Sequence, residues 1–287
     1  MHWHKEAEWA YMLAGHARIT AVDEEGRTFI DDVGPGDLWN FPAVIPHSIQ
    51  GLDDGCEFLL VFDDGSFSEN ETFLLTDLFA HMPREMLAKN FGVPESAFAD
   101  IPVDVDHKRY IFEGQVQPLA DDTVRSAAGT VPQTFSHRMM TQKPIIAAGG
   151  WVRITDSTNF PAASTIAAAL VHVEPGAMRE LHWHLHDEWQ YHISGQGRMT
   201  VFASGGKAHL QLSGRRRRLY PARHGALRRE PRRRAARLFG AVPQPRFMDV
   251  SLSQWMALSP PKMVQGHLNL DAKTMAALRK DKPIIVK

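Results

Sequence analysis

A fourteen-residue pattern occurs twice in the 287-residue chain, as HWHKEAEWAYMLAG at 2–15 and as HWHLHDEWQYHISG at 182–195. Both copies carry a Glu six residues after the first His and a Gly seven residues beyond that Glu. The copies start 180 residues apart, so each belongs to a unit of domain size rather than to a short solenoid repeat. The repeat therefore predicts two related domains.

The segments around both copies have the pattern of β-strands. Short apolar or alternating runs such as EFLLVFDDG and IAAALVHVEPG end at Gly, Asp-Gly or Pro-Gly. Two units of this kind predict a mainly β fold made of two small barrels or jelly rolls. Helical spacing is confined to the segment at about 72–101 and to two C-terminal segments, 251–260 and 271–281.

The domain organisation follows from these runs. We predict a first domain at 1–112, whose first strands are missing, and a second at 146–287. A connector rich in Gly, Pro, Asp and Thr lies between them at 113–145.

Composition limits the cellular context. No apolar run reaches the length of a membrane span, and no charged and apolar leader opens the chain. The single cysteine, Cys56, excludes an internal disulfide and is typical of a reducing compartment. We therefore expect a cytoplasmic protein without membrane or nucleic-acid partners, the alternative being an export signal lost upstream of residue 1.

The repeated His-x-His is a candidate metal site. On a strand the two His side chains point to the same face, and a Glu four residues after the second His can return to that point from the adjoining strand. In the first copy these residues are His2, His4 and Glu8, and the later segment GPGDLWNFPAVIPHS offers His47 as a fourth ligand. Such a set suits Mn, Fe, Co, Ni or Zn, and the donor types do not choose among them.

The two segments resemble the paired motifs of the cupin superfamily, G(x)5HxH(x)3–4E(x)6G and G(x)5PxG(x)2H(x)3N. In the second copy Gly176 precedes His182 by six residues, as the first motif requires. The second motif is altered by Val44 and Gly51 in place of its Gly and Asn. The resemblance implies a bicupin, with a second metal set of His182, His184 and Glu188.

Further segments, such as DVGPGDLWNFP, FDDGSFSENETFLLTD and ITDSTNF, resemble sequences of the bacterial oxalate decarboxylases. That resemblance implies oxalate as substrate, Mn²⁺ as metal, dioxygen as co-oxidant, and formate and carbon dioxide as products. It also implies a trimer or hexamer. The family's lid motif is matched by residues 68–72, which makes Glu69 the expected proton donor, with Thr72 in the same motif. Glu71 replaces the usual Ser and adds a negative charge near an anionic substrate.

The two copies are not equally complete. In the second copy Arg179 stands three residues before His182, where it could pair with a substrate carboxylate. The matching stretch of the first copy would precede residue 1, so we expect its Arg to be absent, as in a truncated gene.

An arginine-rich segment interrupts the second domain. Residues 214–240 hold eleven Arg and one Glu, although the formal net charge of the whole chain is −1. A nucleic-acid-binding arm and a solvated charged helix are two interpretations, but the segment lies inside a barrel and lacks compensating acids. The favoured hypothesis is a double frameshift over about 209–245, because a shifted frame can encode a complete second cupin motif with its His at position 226.

Position 226 is Ala in this chain, so the second site is expected to lose its fourth ligand. His224, two residues before Ala226, is considered as a substitute for the missing fourth ligand. The segment is also expected to supply no barrel strands, because it lacks alternating apolar residues.

Three functions follow from this sequence. The leading one is an Mn-dependent oxalate decarboxylase. The alternatives are an oxalate oxidase, which yields carbon dioxide and hydrogen peroxide, and a catalytically impaired bicupin that binds metal without turnover.

Overall fold

The structure is a computed structural model that describes residues 1–103, 114–203, 206–213, 216–220, 225–229 and 235–287. It contains two compact units, Met1–Arg138 and Met139–Lys287. Strands predominate in both units and the helices are short, which confirms the predicted mainly β class. The boundary between the units lies inside the segment 113–145, and the exact domain bounds remain a prediction.

Unit 1 is built on one seven-stranded sheet. Its strands are β1 (His2–Trp3), β2 (Glu8–Val22), β3 (Thr28–Val33), β4 (Leu38–Phe41), β5 (His47–Phe62), β6 (Phe73–Leu74) and β7 (Ser136–His137). The sheet order is β6-β1-β5-β2-β4-β7, with β3 also paired to β2. All of these ladders are antiparallel, so neighbouring strands bring their opposite ends together.

The longest ladder of unit 1 joins β2 to β5 and bends where its register shifts. The shifts lie between Met12 and Ala14 and between Gly15 and Ala17. The first five residues of β2 are buried, as expected of a strand that is covered on both faces. Trp9, at 0% exposure, is among the largest fully buried side chains.

In the described part of unit 1 the α-helices are short: α1 (Leu75–His81), α2 (Arg84–Phe91) and α3 (Leu119–Asp122) lie between β6 and β7 in the chain. The first two and the 3-10 turn Glu95–Phe98 lie inside the segment predicted to be helical, 72–101. Gly92, at φ +67°, ends α2.

Unit 2 contains two sheets of six strands each. Its strands are β8 (Ile145–Ala147), β9 (Gly150–Thr155), β10 (Ala167–Val173), β11 (Met178–Trp183), β12 (Glu188–Ser194), β13 (Gln196–Ala203), β14 (Gly206–Ser213), β15 (Arg216–Tyr220), β16 (Gly225–Arg229), β17 (Ala236–Val242), β18 (Val250–Ser251) and β19 (Ile285–Val286). One sheet has the order β15-β12-β17-β10-β9-β8, and the other has the order β14-β13-β16-β11-β18 with β19 paired to β11.

The expectation that the arginine-rich segment supplies no barrel strands is wrong. Strand β15 pairs with β12, and β16 pairs with both β11 and β13. The expectation rested on side-chain alternation, whereas a ladder is formed by backbone N–H and C=O groups that every residue except proline provides. The frameshift hypothesis concerns the gene and remains a prediction.

The last Gly of each repeated segment occupies a position that admits no side chain. Gly15 has φ +67°, and a Cβ there would lie 2.0 Å from the carbonyl oxygen of Gly55. Gly195 has φ +80°, and its Cβ would lie 2.2 Å from the carbonyl oxygen of Ala235. In both units this Gly therefore permits a turn and a close backbone approach that an L-residue would prevent.

Three helices follow β18: α4 (Leu252–Leu258), α5 (Pro261–Leu268) and α6 (Ala272–Ala277). The first and the last lie within the two segments predicted to be helical, and the middle one was not predicted. Ser251 and Asp271 cap α4 and α6 by accepting hydrogen bonds from backbone N–H groups. Within the described ranges, no helix has the length and hydropathy that a membrane span requires.

Candidate metal centres

Four of the predicted ligands meet at one point in unit 1. His2 lies on β1, His4 follows it, Glu8 begins β2 and His47 begins β5. His2 stands directly opposite His47 in the β1–β5 ladder. One donor atom from each of the four residues lies within 4.8 Å of the others. His4, Glu8 and His47 are buried and His2 is half-buried, so the cluster opens to solvent on the side of His2.

The two buried imidazoles of this site have their tautomers set by backbone carbonyls. Nδ1 of His4 lies 2.8 Å from the carbonyl oxygen of Glu6, and Nδ1 of His47 lies 2.7 Å from that of Ile45. A carbonyl oxygen can only accept, so Nδ1 carries the proton in each ring. In the neutral form of each ring Nε2 then presents its lone pair to the cluster, which is the form that binds a metal.

Glu8 is held as a carboxylate. Trp39 donates from Nε1 to one carboxylate oxygen at 3.1 Å, and the other oxygen lies 3.4 Å from Nε2 of His4 and 3.5 Å from Nε2 of His47. Burial works against the charged form, but contacts with the protonated rings of His4 and His47, and the hydrogen bond from Trp39, outweigh it and hold the pKa of Glu8 well below its usual range. Burial, with the neighbouring His47, lowers the pKa of His2 to about 4.

These donors fit a divalent metal. Nε2 of His47 is buried and has no hydrogen-bond partner. Burying an unpaired nitrogen lowers the stability of the fold unless a metal ion binds its lone pair. Three neutral imidazoles and one carboxylate suit a borderline divalent ion with coordination positions left open.

Val44 adopts the backbone conformation that the second cupin motif reserves for Gly. Its φ is +60°, in the left-handed region that a β-branched residue rarely enters. Its N–H donates to the carbonyl oxygen of His4 at 2.9 Å, so the turn helps to position that ring. The side chain is 58% exposed, so burial of the Val44 side chain offsets little of this strain.

The predicted proton donor lies outside the buried cluster. Glu69 begins the 3-10 turn Glu69–Glu71 and is exposed. Thr72 is buried, and its N–H donates to the carbonyl oxygen of Glu69 at 3.2 Å. Phe67, just before the turn, stacks on Phe62 with ring centroids 3.7 Å apart and meets the His4 ring edge-on at 5.7 Å. The loop is therefore anchored beside the cluster, and Glu69 on it is exposed.

Three of the predicted ligands meet in unit 2. His182 is the penultimate residue of β11, His184 follows that strand and Glu188 begins β12. All three are buried, and their donor atoms lie within 4.8 Å of one another. Nδ1 of His182 lies 2.7 Å from the carbonyl oxygen of Glu180, and Nδ1 of His184 lies 2.8 Å from that of Met248. The same tautomer follows as in unit 1. Nε2 of His184 is buried without a hydrogen-bond partner, 3.6 Å from Glu188.

The fourth position of this second site is occupied by alanine. Ala226 on β16 stands opposite His182 on β11, as His47 stands opposite His2 in unit 1. An alanine side chain has no donor atom. His224, the suggested substitute, lies outside the described residues.

Arg179 on β11 is half-buried and already paired. Its guanidinium donates to the carbonyl oxygen of Ile284 at 2.7 Å and to the carboxylate of Asp249, which also accepts from Lys282. Arg179 lines a cavity of about 240 Å³ together with His182. A substrate carboxylate there would have to compete with Asp249, and the substrate-binding role of Arg179 remains a prediction.

Three residues beside the two clusters were not predicted from the sequence: Trp39, Asp249 and Lys5. Trp39 lies within the quoted segment DLWNFP, but nothing in that segment indicated a contact to a ligand over thirty residues earlier. Asp249 and Lys5 are polar residues in ordinary sequence surroundings. Each is recognised only by its partner: Glu8 for Trp39, Arg179 for Asp249 and Glu71 for Lys5.

Known sequences and structures resemble this chain over its whole length. A family model described as cupin matches residues 1–97 and 137–242. Oxalate decarboxylase OxdC of Bacillus subtilis (strain 168) is 50% identical over 299 residues, which cover 100% of this chain and 74% of that protein. A probable oxalate decarboxylase of Arthroderma benhamiae is 37% identical over 296 residues, covering 100% of this chain and 71% of that protein.

Solved structures of the Bacillus subtilis enzyme also match the fold of this chain. The structure of oxalate decarboxylase from Bacillus subtilis at pH 4.6 matches with a TM-score of 0.94 at 50% identity, covering 100% of this chain and 75% of that chain. A second structure of that enzyme, from work on its Mn(II) centres, matches with the same TM-score and covers 100% of this chain and 76% of that chain.

Proposed function

The chain belongs to the cupin family, and on that basis we propose that it is an oxalate decarboxylase that converts oxalate to formate and carbon dioxide at the unit 1 centre. The observation that carries the proposal is the four-ligand cluster of His2, His4, Glu8 and His47. The identity of 50% to a named oxalate decarboxylase, over the whole chain, gives the substrate.

We propose Mn²⁺ as the metal, held by those four residues. The relative with described Mn(II) centres supports this choice over other divalent ions. When bound, the metal supplies a Lewis acid and a template for the two oxalate carboxylates. The protein's part is to keep the proton of the neutral His4 and His47 rings on Nδ1, through the carbonyl oxygens of Glu6 and Ile45, which leaves each Nε2 for the metal.

The reaction consumes one proton. Oxalate dianion and H⁺ give formate and carbon dioxide: the C–C bond breaks, one half leaves as carbon dioxide and the other gains a C–H bond. Glu69 is the proposed proton donor and is recharged from water, to which it is exposed. Thr72 holds the Glu69 carbonyl through its N–H. Dioxygen as a co-oxidant, unchanged overall, is part of the same proposal.

The exposed position of Glu69 favours one second candidate, oxalate oxidase. Without a proton delivered to carbon, oxalate, dioxygen and two protons give two carbon dioxide and one hydrogen peroxide. A metal-binding protein without turnover is the remaining alternative, and it predicts neither formate nor peroxide.

A homo-oligomer, trimer or hexamer, is also proposed. Exposed apolar side chains on α4 and α5 support it, among them Trp255 at 61% and Met263 at 51% exposure. Sedimentation equilibrium at several concentrations tests this point, and a monomer throughout would contradict it.

The decisive experiment follows labelled oxalate in the Mn-loaded protein and measures formate and peroxide together. We expect formate as the main product, and a Glu69→Gln variant that loses formate production by about 10²–10⁴-fold. Glu95→Gln is the matched control, because Glu95 also begins an exposed 3-10 turn, away from the cluster. Full formate production by Glu69→Gln would overturn the role of Glu69, and peroxide as the main wild-type product would favour the oxidase.

A further inference from the structure

An ion pair joins the metal centre of unit 1 to the turn that carries Glu69. Nζ of Lys5 lies 2.5 Å from a carboxylate oxygen of Glu71. Lys5 directly follows the ligand His4, and Glu71 ends the turn Glu69–Glu71. We propose that this pair is a positioning device: it holds the turn with Glu69 toward solvent and so sets the ratio of decarboxylation to oxidation, a role that rests on the proposed function.

The ends of the loop are fixed by apolar contacts. Before the turn, Phe67 is stacked on Phe62. After it, Phe73 stacks on Trp3 at 5.1 Å between ring centroids, and the two residues are also paired in the β1–β6 ladder. Because both ends are anchored on the barrel, a movement of the loop is confined to the short turn between them.

The middle of the loop is tied to the barrel by a weaker kind of contact. The side chains of Lys5 and Glu71 are 56% and 59% exposed. Water and salt screen an ion pair at that exposure, so it can break and form again without a large barrier. Ser68, which precedes the turn, makes no side-chain cap that would hold it. The ion pair is therefore a contact that ties the turn to the segment of the metal ligands and that can be removed by one substitution.

Lys5 has a second carboxylate within reach. Its Nζ lies 3.8 Å from Oε1 of Glu6, a buried oxygen without a hydrogen-bond partner. When the turn moves away, the ammonium group can satisfy that oxygen instead. The exchange of one carboxylate for another makes release of the turn less costly than breaking an isolated pair.

The pair also reduces the effect of the Glu71 charge on an anionic substrate. A lone carboxylate on the lid would repel the oxalate dianion, as expected from the sequence. With Lys5 at 2.5 Å its charge is locally offset, so the principal effect of Glu71 is on the position of the turn. We expect removal of the pair to shift the population of released turn by about two- to fivefold, a small effect that is typical of an exposed pair.

Hydrogen–deuterium exchange tests the pair without reference to activity. Peptides that cover residues 66–74 are followed in the whole metal-free and Mn-loaded protein. Lys5→Ala and Glu71→Gln should each raise exchange in these peptides by about two- to fivefold, and the swap Lys5→Glu with Glu71→Lys should restore it. Asp281→Asn is the control, because it removes a comparably exposed pair with Arg279 in unit 2. Unchanged exchange in the single variants, or no restoration by the swap, overturns the positioning device.

Product analysis then tests its consequence. Glu71→Gln should raise the formate-to-peroxide ratio by about two- to fivefold, and the swap should return it to the wild-type value. A faster exchange with an unchanged ratio refutes the effect on the reaction. If the exchange result holds and neither product forms in any variant, the device stands as a structural feature while the proposed function fails.

Discussion

Ala226 lies directly opposite His182 in the ladder between β11 and β16. The equivalent pair of unit 1 consists of two predicted ligands, His2 and His47. The strand position that carries His47 in unit 1 therefore has its counterpart in unit 2, and the described residues of unit 2 bring three donor side chains together instead of four. The two centres of the chain are therefore expected to differ in metal affinity.

Ala226→His is expected to convert the three-ligand centre into a four-ligand centre. The added imidazole should raise Mn²⁺ affinity at the second site by at least about tenfold, since even residues that only orient ligands change affinity by about 10–100-fold. Titration with Mn²⁺, with the free ion followed by electron paramagnetic resonance, measures both sites in one protein.

Two variants make this result specific. Ala226→Val adds bulk without a donor and should not raise the affinity. His224→Ala should leave the affinity of the second site unchanged. If His224→Ala abolishes metal binding there, His224 is the fourth ligand and the assignment to position 226 is wrong.

Trp39→Phe is expected to weaken the first centre without removing a ligand. The indole N–H that orients the Glu8 carboxylate at 3.1 Å is lost, while a smaller aromatic ring remains in the core. Mn²⁺ affinity at the first site should fall by about 10–100-fold. The second site of the same protein serves as the internal control, and equal losses at both sites would indicate general destabilisation.

Val44→Gly is expected to stabilise unit 1. A left-handed backbone costs an L-residue about 1–2 kcal/mol, and the greater entropy of an unfolded Gly offsets about 0.5–1 kcal/mol of the gain. The net gain should be about 1 kcal/mol, visible as a higher urea midpoint of the metal-free protein. Val44→Ala, which keeps a Cβ at φ +60°, should recover less than half of it. A stability loss in Val44→Gly would show that Val44 makes contacts worth more than the strain.

Gly15→Ala is expected to destabilise unit 1 by about 2–5 kcal/mol, because a Cβ 2.0 Å from the Gly55 carbonyl oxygen forces the backbone to move. Gly26→Ala separates this clash from the backbone conformation. Gly26 has φ +77° and open space around the Cβ position, so only about 1–2 kcal/mol should be lost. Similar losses in both variants would mean that the approach to Gly55 relaxes at little cost.

The ligand clusters were within reach of the sequence because their spacing is local and repeated. In a strand, His2 and His4 share a face by geometry alone, and the second copy at 182–195 made coincidence improbable. The segment at 72–101 showed its helices for a similar reason, since helical periodicity is a local property.

What the sequence could not show depends on partners far apart in the chain. The pairing of Arg216–Tyr220 with β12 arises from backbone groups, which carry no residue-specific signal. The Lys5–Glu71 pair joins residues 66 positions apart, and neither residue type indicates the other. The lack of alternating apolar residues in the arginine-rich segment led to the wrong prediction that it forms no strand. Side-chain alternation is only one of the conditions for a strand.

The frameshift hypothesis for 209–245 is decided by the nucleotide sequence of that region. A same-strand overlapping frame that encodes a His at position 226 supports it, and a frame without the motif refutes it.

Gly15 and Gly195 limit which substitutions the two units accept. Both positions, 180 residues apart, disfavour a side chain by shape, whatever the metal chemistry around them. A complete replacement scan scored for folding should therefore show the same preference for Gly at 15 and at 195. That preference should persist in a variant in which every histidine of the two clusters has been replaced.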